Sequence, residues 1–397
     1  MRLAARLQAA IEILDQVLDD QAHEGPAADV RLARALGARR YAGARDRAAI
    51  RDLVFQAIRA FGEPPRSGRA AMLGLAHGPR PDLLALFDGS PHGPAPPGGA
   101  EPVAAPRAAP AWLEPHLAGS LGPGWQDEVA ALLQRAPVDL RVNRLKGVPP
   151  AQVAAQLPVP AAPVQGLPLD LPDSLRLAAA VPLERHEVWR SGLVEVQDAA
   201  SQFVQRVCAA RPGETVVDLC AGAGGKTLAL AADMEGRGRI IACDTDARRL
   251  SAMRPRLARA GAEATVEALL LDPGREAERL ADLAAAADLV LVDAPCSGSG
   301  TWRRNPELRW RLTPARLARL VAEQARLLAL GAGLVRPGGR LVFAVCSVLE
   351  AEGMAHMGPL LSQGRFMGRA AGPGETWRLT TLRHGCDGFF VASVVLG

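Results

Sequence analysis

From about residue 192 the chain alternates short apolar runs with longer helical stretches, and this alternation constrains the fold more than any other feature. The apolar runs are LVEV, TVVDL, RIIACD, ATVEALLLD, DLVLVD and GRLVFAVCS. Between them lie ASQFVQRVCAA, KTLALAADM, ARRLSAMRPRLARAG and PARLARLVAEQARLLALGAG. Parallel strands need a crossover long enough to hold a helix, so this spacing predicts a doubly wound α/β sheet covered on both faces. GFFVASVV reads as a closing strand, and the whole domain is expected over 191–397.

The upstream chain reads differently. Residues 1–88 predict an all-helical N-terminal domain: Leu3, Leu7, Ile11, Leu14 and Leu18 form one stripe, and a second helix is expected from about Ala44 to Phe61. Seven prolines between Pro91 and Pro110 predict a linker over 89–110. Mixed helix and strand signals over 111–190 predict a small α+β subdomain. The hydrophobic share of 49% excludes a disordered or fibrous chain. No apolar run reaches the roughly 18–20 residues of a membrane-spanning helix. The start, MRLAARLQAAIEILDQ, reads as an amphipathic helix rather than a secretion signal, so a cytoplasmic protein without membrane contact is expected. The six cysteines have no metal-knuckle spacing, so neither a metal nor a disulfide framework is expected.

The first βα turn of the sheet reads VVDLCAGAGGKTLALA. Its glycines permit close approach to a ligand at a helix N-terminus. The turn is neither a phosphate-binding GxxxxGK loop nor a GxGxxG fingerprint, which disfavours a dinucleotide dehydrogenase. Four aspartates close successive strands: Asp218, Asp244, Asp272 and Asp293. Ligands of open α/β sheets bind at the carboxyl ends of the strands. Four carboxylates there fit a cationic nucleoside, with S-adenosylmethionine the ligand of that description.

Cys296 lies on the loop leaving one strand tip, in DAPCSGSGTWRRNPELRW, and Cys346 ends the strand GRLVFAVCS. Two thiols facing one crevice suit nucleophilic attack on an electron-poor ring. A thiolate added to carbon 6 of a pyrimidine makes carbon 5 nucleophilic, with Asp293 available to hold the ring's far edge. Lys226 and the helix N-termini offer the positive potential that lowers a thiol's pKa.

The net charge of +4 permits a nucleic-acid partner without requiring one. Only Lys146 and Lys226 interrupt an otherwise all-arginine set of basic residues, and asparagine occurs only at Asn143 and Asn305. Such rare survivors point to specific roles: Asn143, Lys226 and Asn305 fall inside recognisable motifs, and Lys146 lies in the same run as Asn143.

Those motifs are WLEPHL, LRVNRLK, VEVQDAASQFV, DLCAGAGGKT, DAPCSGSGTWRRNPELRW, VCS and DGFF. Over about 111–397 the chain resembles the RsmB-like, Nop/Sun family of RNA cytosine-5 methyltransferases. The resemblance implies a class I (Rossmann-like) methyltransferase sheet that uses S-adenosylmethionine. It implies a cofactor loop of Cys220, Ala221, Gly222, Ala223, Gly224, Gly225 and Lys226. Asp244 would hold the ribose, Asp272 the adenine region, and Asp293 would lie between cofactor and base. It makes Cys346 the nucleophile and gives Cys296 a role in product release, which spacing alone does not decide; Lys226 would enter the catalytic pocket. RNA, ribosomal RNA or a ribosomal subunit, is the implied partner, and a monomer is expected. Arg303, Arg304 and Asn305, with the neighbouring tryptophans and arginines, would stack bases and hold phosphates; Arg141, Asn143 and Lys146 would form the opposite wall. The sequence departs from the family at CAGAGGKT (for CAAPGGKT), at VCS (for TCS), and at Glu352-Gly353 (for Glu-Asn). These departures leave open an RNA-binding or ribosome-assembly factor that has lost turnover. In the N-terminal region, ARDRAAIRDLVFQAIR resembles a segment of NusB-like helical domains, and equally fits a generic bundle with a basic face.

Overall fold

Apolar residues at helical spacing give each N-terminal helix one face to bury: α1 (Leu3–Ala22), α2 (Ala28–Ala38), α3 (Ala44–Ala60) and α4 (Gly68–Ala76). Leu7, Ile11, Leu14, Ile50, Val54, Ile58 and Met72 meet in one cluster. Leu3, expected on the same stripe, is 59% exposed. At Gly68 a Cβ would lie 2.2 Å from the Ile11 carbonyl oxygen, so only glycine lets α4 approach α1 this closely. The computed structural model describes residues 1–23, 25–362, 364–367 and 375–397. They form two compact units, 1–134 with 301–314, and 135–300 with 315–397.

Within the first unit the proline-rich stretch is seated on the helices. Ala104 N–H donates to Ala70 O (3.1 Å), Arg107 N–H donates to Ala60 O (3.0 Å), and Arg69 pairs with Glu101 (2.8 Å). The segment 301–314 belongs to the same unit, which corrects its expected role as an exposed base-stacking loop. Trp302, Arg303, Arg309 and Trp310 are buried. Arg309 donates to the carbonyls of Ile58 (2.6 Å), Arg59 (3.2 Å) and Ala108. Two of these lie in the last turn of α3, where carbonyls lack helical partners. Trp310 Nε1 donates to Phe61 O (2.7 Å), and Arg311 donates to Gln21 Oε1 (2.7 Å) and Pro26 O (2.6 Å). These side chains fasten the segment to backbone oxygens and leave little for a nucleic acid. Arg304 and Asn305 keep partial exposure.

The second unit holds two sheets. The smaller has order β2-β3-β1-β4 and is antiparallel: β1 (Asp139–Val142), β2 (Ala161–Pro163), β3 (Ser174–Leu177) and β4 (Val194–Val196). The LVEV run, expected to begin the large sheet, is β4 and pairs with β1 instead. The large sheet contains β5 (Thr215–Asp218), β6 (Arg239–Asp244), β7 (Val266–Leu270), β8 (Ala287–Asp293), β9 (Val335–Val345), β10 (Phe366–Met367), β11 (Glu375–Leu379) and β12 (Phe389–Leu396). Its order is β10-β12-β9-β8-β5-β6-β7, with β11 also on β12. Strands β5 to β9 are parallel and β10 to β12 antiparallel, so the closing strand makes the sheet mixed. Helices 199–208, 225–233 and 247–260 cover one face and helix 314–334 covers the other. Among the described residues no helix is long and apolar enough to cross a membrane.

Asp218 closes β5 wholly buried, with Oδ2 accepting from Thr227 Oγ1 (2.7 Å) and Oδ1 left without a partner. Burial pushes its pKa up to about 7.

Two outcomes follow from this architecture. Arg309→Ala should lower the unfolding free energy by roughly 1–3 kcal/mol in chemical denaturation, because buried carbonyls lose their donors. An unchanged midpoint would show that the guanidinium is not needed there. Asp218 holds a proton in the folded chain that it releases in the unfolded chain between about pH 4 and 7. Stability should therefore fall as pH rises through that window, and Asp218→Asn should flatten the slope of Tm against pH. An equal slope in both proteins would contradict the buried proton.

Candidate active site

After β5 the backbone turns sharply through Cys220–Gly225, with φ of +57° at Gly222 and +83° at Gly224. At Gly224 a Cβ would lie 2.5 Å from Met253 Cγ, whereas the space beside Gly222 is open. The Gly222 N–H donates to Asp244 Oδ2 (2.8 Å), and Asp246 N–H donates to Asp244 Oδ1 (2.8 Å). Asp244 at the tip of β6 thus braces the loop, and each of its oxygens retains a second acceptor site. From the other side Arg256 donates to Ala223 O (2.6 Å) and pairs with Glu195 (2.9 Å). Asp272 stands exposed just beyond β7. Cys220 is half-buried, and burial raises its thiol well above the usual range.

Lys226 leaves the first turn of helix Gly225–Asp233 and reaches Asp293 Oδ2 at the tip of β8 (2.6 Å). Its ammonium also lies 5.5 Å from the centre of the Phe389 ring. Burial works against the ammonium, but the charge of Asp293 and its hydrogen bond hold the lysine above its ordinary pKa.

The neighbouring parallel strands β8 and β9 pair Asp293 with Ala344. Their ends therefore carry Cys296 and Cys346 to one place, with the two sulfurs 3.2 Å apart. The hydrogen bond to Cys346, followed by burial, raises Cys296 well above the ordinary thiol range. Either sulfur can be the donor in this contact. Gly300 N–H donates to Cys346 O (3.1 Å), and Gly388 N–H donates to Gly300 O (2.8 Å), which ties the DGFF motif to both cysteine loops. A Cβ on Gly300 would fall 1.8 Å from Gly388 O.

The structure thus brings together Lys226, Asp293, Cys296 and Cys346, with the glycine loop and Asp244 beside the same sheet edge. It does not offer Arg141 or Asn143 to a ligand. Arg141 is 2% exposed, with Nε donating to Gln197 Oε1 (2.7 Å), and burial lowers its pKa to about 10. Asn143 is 3% exposed; its amide donates to the Gly192 and Ala260 carbonyls, both at 3.0 Å, and its oxygen accepts from Leu145 N–H. Both are braces of the small sheet rather than RNA contacts. Lys146 is half-buried. Cys208, Cys243 and Cys386 are buried, and burial raises the first two thiols.

One group escaped the sequence reading. Glu352, noted there only beside an altered motif, is fully buried behind the two cysteine loops. Its carboxylate accepts from Ser297 and Ser347, the residues that directly follow the cysteines. The recurrence of serine after each cysteine was the available signal. Among the described residues no cluster of His, Cys, Asp and Glu could hold a metal.

Residues 206–395 match the family model of the 16S rRNA methyltransferase RsmB/F. The chain is 34% identical over 292 residues to ribosomal RNA small subunit methyltransferase B of Klebsiella pneumoniae, a match covering 72% of this chain and 65% of that protein. Its counterpart in Escherichia coli is 32% identical over 292 residues, covering 72% and 66%. The chain therefore spans just under two thirds of the length of these relatives. Among solved structures, PH0851 superposes with a TM-score of 0.76 at 24% identity over 99% of each chain. A methyltransferase homolog protein from Pyrococcus horikoshii gives 0.62 at 24% identity, over 73% of this chain and 97% of its own. The sheet is that of class I methyltransferases, and residues 206–395 carry the RsmB/F methyltransferase domain.

Proposed function

We propose that this chain methylates carbon 5 of a cytosine in ribosomal RNA, with Cys346 as the attacking nucleophile. The observation that carries the reading is the pair of sulfurs at 3.2 Å beside the Lys226–Asp293 pair. The named activity of the curated relatives supports ribosomal RNA as the substrate class.

The chain's own groups fit S-adenosylmethionine. The open face beside Gly222, the spare acceptor sites of Asp244 and the exposed Asp272 suit a nucleoside with a ribose diol. The loop of Cys220, Ala221, Gly222, Ala223, Gly224 and Gly225 would line it, with Asp293 facing both donor and base. When bound, S-adenosylmethionine supplies the electrophilic methyl group that a nucleophilic carbon 5 takes.

The protein's task is to make carbon 5 nucleophilic. Cys346 sulfur forms a bond to carbon 6, and the ring's π electrons move toward carbon 5. Lys226 provides positive charge near the thiolate, and the Asp293 carboxylate accepts a hydrogen bond from the exocyclic amine. After methylation water takes the carbon 5 proton, its electron pair re-forms the carbon 5–carbon 6 double bond, and the sulfur–carbon 6 bond breaks with its electrons leaving on the Cys346 sulfur. Cys296, held as a thiol, donates to the departing Cys346 sulfur and stabilises it as a leaving group. The target base must be unpaired or flipped out of its stack. Lys146, Arg304 and Asn305 are the remaining RNA contacts of those read from the sequence.

Incubation with S-adenosylmethionine and RNA containing 5-fluorocytosine should give a gel-stable protein–RNA adduct, because fluorine blocks loss of the carbon 5 substituent. The adduct should vanish in Cys346→Ala. Cys296→Ala should accumulate adduct even on ordinary RNA, with turnover reduced by roughly 10²-fold or more. Normal turnover in Cys296→Ala, or an adduct that survives in Cys346→Ala, would refute these assignments.

A further inference from the structure

We propose that Glu352 is a positioning residue that sets the spacing of Cys296 and Cys346 by gripping the residue after each of them. The proposal deepens the catalytic reading above and rests on it for its link to turnover. Glu352 Oε1 accepts from Ser297 N–H (2.7 Å) and from Gln324 Nε2 (3.1 Å). Its Oε2 accepts from Ser347 Oγ (2.6 Å) and from Ser297 Oγ. The same Gln324 amide donates to Pro295 O (2.8 Å), the residue before Cys296. His356 Nε2 lies 3.0 Å from Gln324 Oε1 and fixes the direction of that amide. Ser299 Oγ sits 2.9 Å from Ser347 Oγ and accepts from Val348 N–H (3.0 Å), adding a second tie between the loops.

The chemistry of this cluster is informative. A fully buried carboxylate is costly, and an apolar side chain would fill the same space more simply. Here the carboxylate meets four donors, and three come from the two serines that follow the cysteines. The loops leave adjacent strand ends, and beyond those ends the Gly300 N–H to Cys346 O bond and this side-chain network join them. A shared acceptor fixes them relative to each other, and the cysteine one residue away inherits that distance. Three of the carboxylate's hydrogen bonds go to the residues that follow the cysteines, so it sets the sulfur spacing through the loops.

The sulfur spacing can be read without any RNA. Diamide oxidises two neighbouring thiols to a disulfide and is itself reduced to the hydrazine, and the cross-linked peptide is followed by mass spectrometry after alkylation. In the full-length wild type the Cys296–Cys346 cross-link should form readily. Glu352→Gln keeps the shape but replaces an acceptor oxygen with a donor. It should slow cross-linking by roughly tenfold or more and lower kcat by a similar factor, with KM for S-adenosylmethionine unchanged. Glu352→Asp should restore part of the rate. Ser347→Ala should slow it less, and should add little in the Glu352→Gln background, because both changes break one network. Folding of each variant is checked by thermal unfolding. Cross-linking at the wild-type rate in folded Glu352→Gln overturns the proposal. Should that variant fail to fold, wild-type rates in both Ser297→Ala and Ser347→Ala overturn it equally. If wild-type protein forms no RNA adduct while the cross-link still depends on Glu352, the methylation reading fails and the clamp stands.

Discussion

Neighbouring parallel strands end side by side, and the candidate site depends on that constraint. β8 and β9 pair in register through Asp293 and Ala344, so whatever follows each strand is delivered to one point. A thiol two residues beyond Ala344 and another three residues beyond Asp293 then meet without either loop being long. The same rule brings the Asp218 and Asp244 tips beside the glycine loop, from β5 and β6. Short connections at the carboxyl edge of a rigid sheet hold reacting groups more tightly than long loops would.

Charge divides the two thiols. Lys226 reaches across from the helix that begins in the glycine loop and balances Asp293, placing a cation on the side of Cys346. The contact with Cys346 and burial raise the Cys296 thiol, and the charge of Glu352 adds to that direction. In the proposed mechanism one sulfur attacks and the other donates a hydrogen bond to it. The two cysteines stand on equivalent loops, and different work is proposed for them.

Much of this was legible in the sequence, for a physical reason. Strands buried on both faces must be apolar throughout, so TVVDL, RIIACD, DLVLVD and GRLVFAV announce themselves and their polar ends mark the ligand edge. LVEV obeyed the same pattern yet joined the small sheet, because a short apolar strand carries no address for its partner. The arginine and tryptophan run from Trp302 to Arg311 was misread for a related reason. A guanidinium suits a phosphate and a helix-terminal carbonyl equally well, and Arg309 meets the carbonyls at the end of α3. Arg141 and Asn143 belong to the same class, as polar side chains consumed by backbone and side-chain partners inside the protein. Glu352 was hard to read because Ser297 and Gln324 lie far from it in sequence, and only the fold brings them to the carboxylate beside the nearby Ser347.

The proposed mechanism turns on which sulfur bears the base. Protease digestion of a complex trapped on 5-fluorocytosine RNA, followed by tandem mass spectrometry, identifies the cysteine that carries the nucleotide. The nucleotide mass should sit on Cys346; the same mass on Cys296 would contradict the assignment of attack and release on which the mechanism rests.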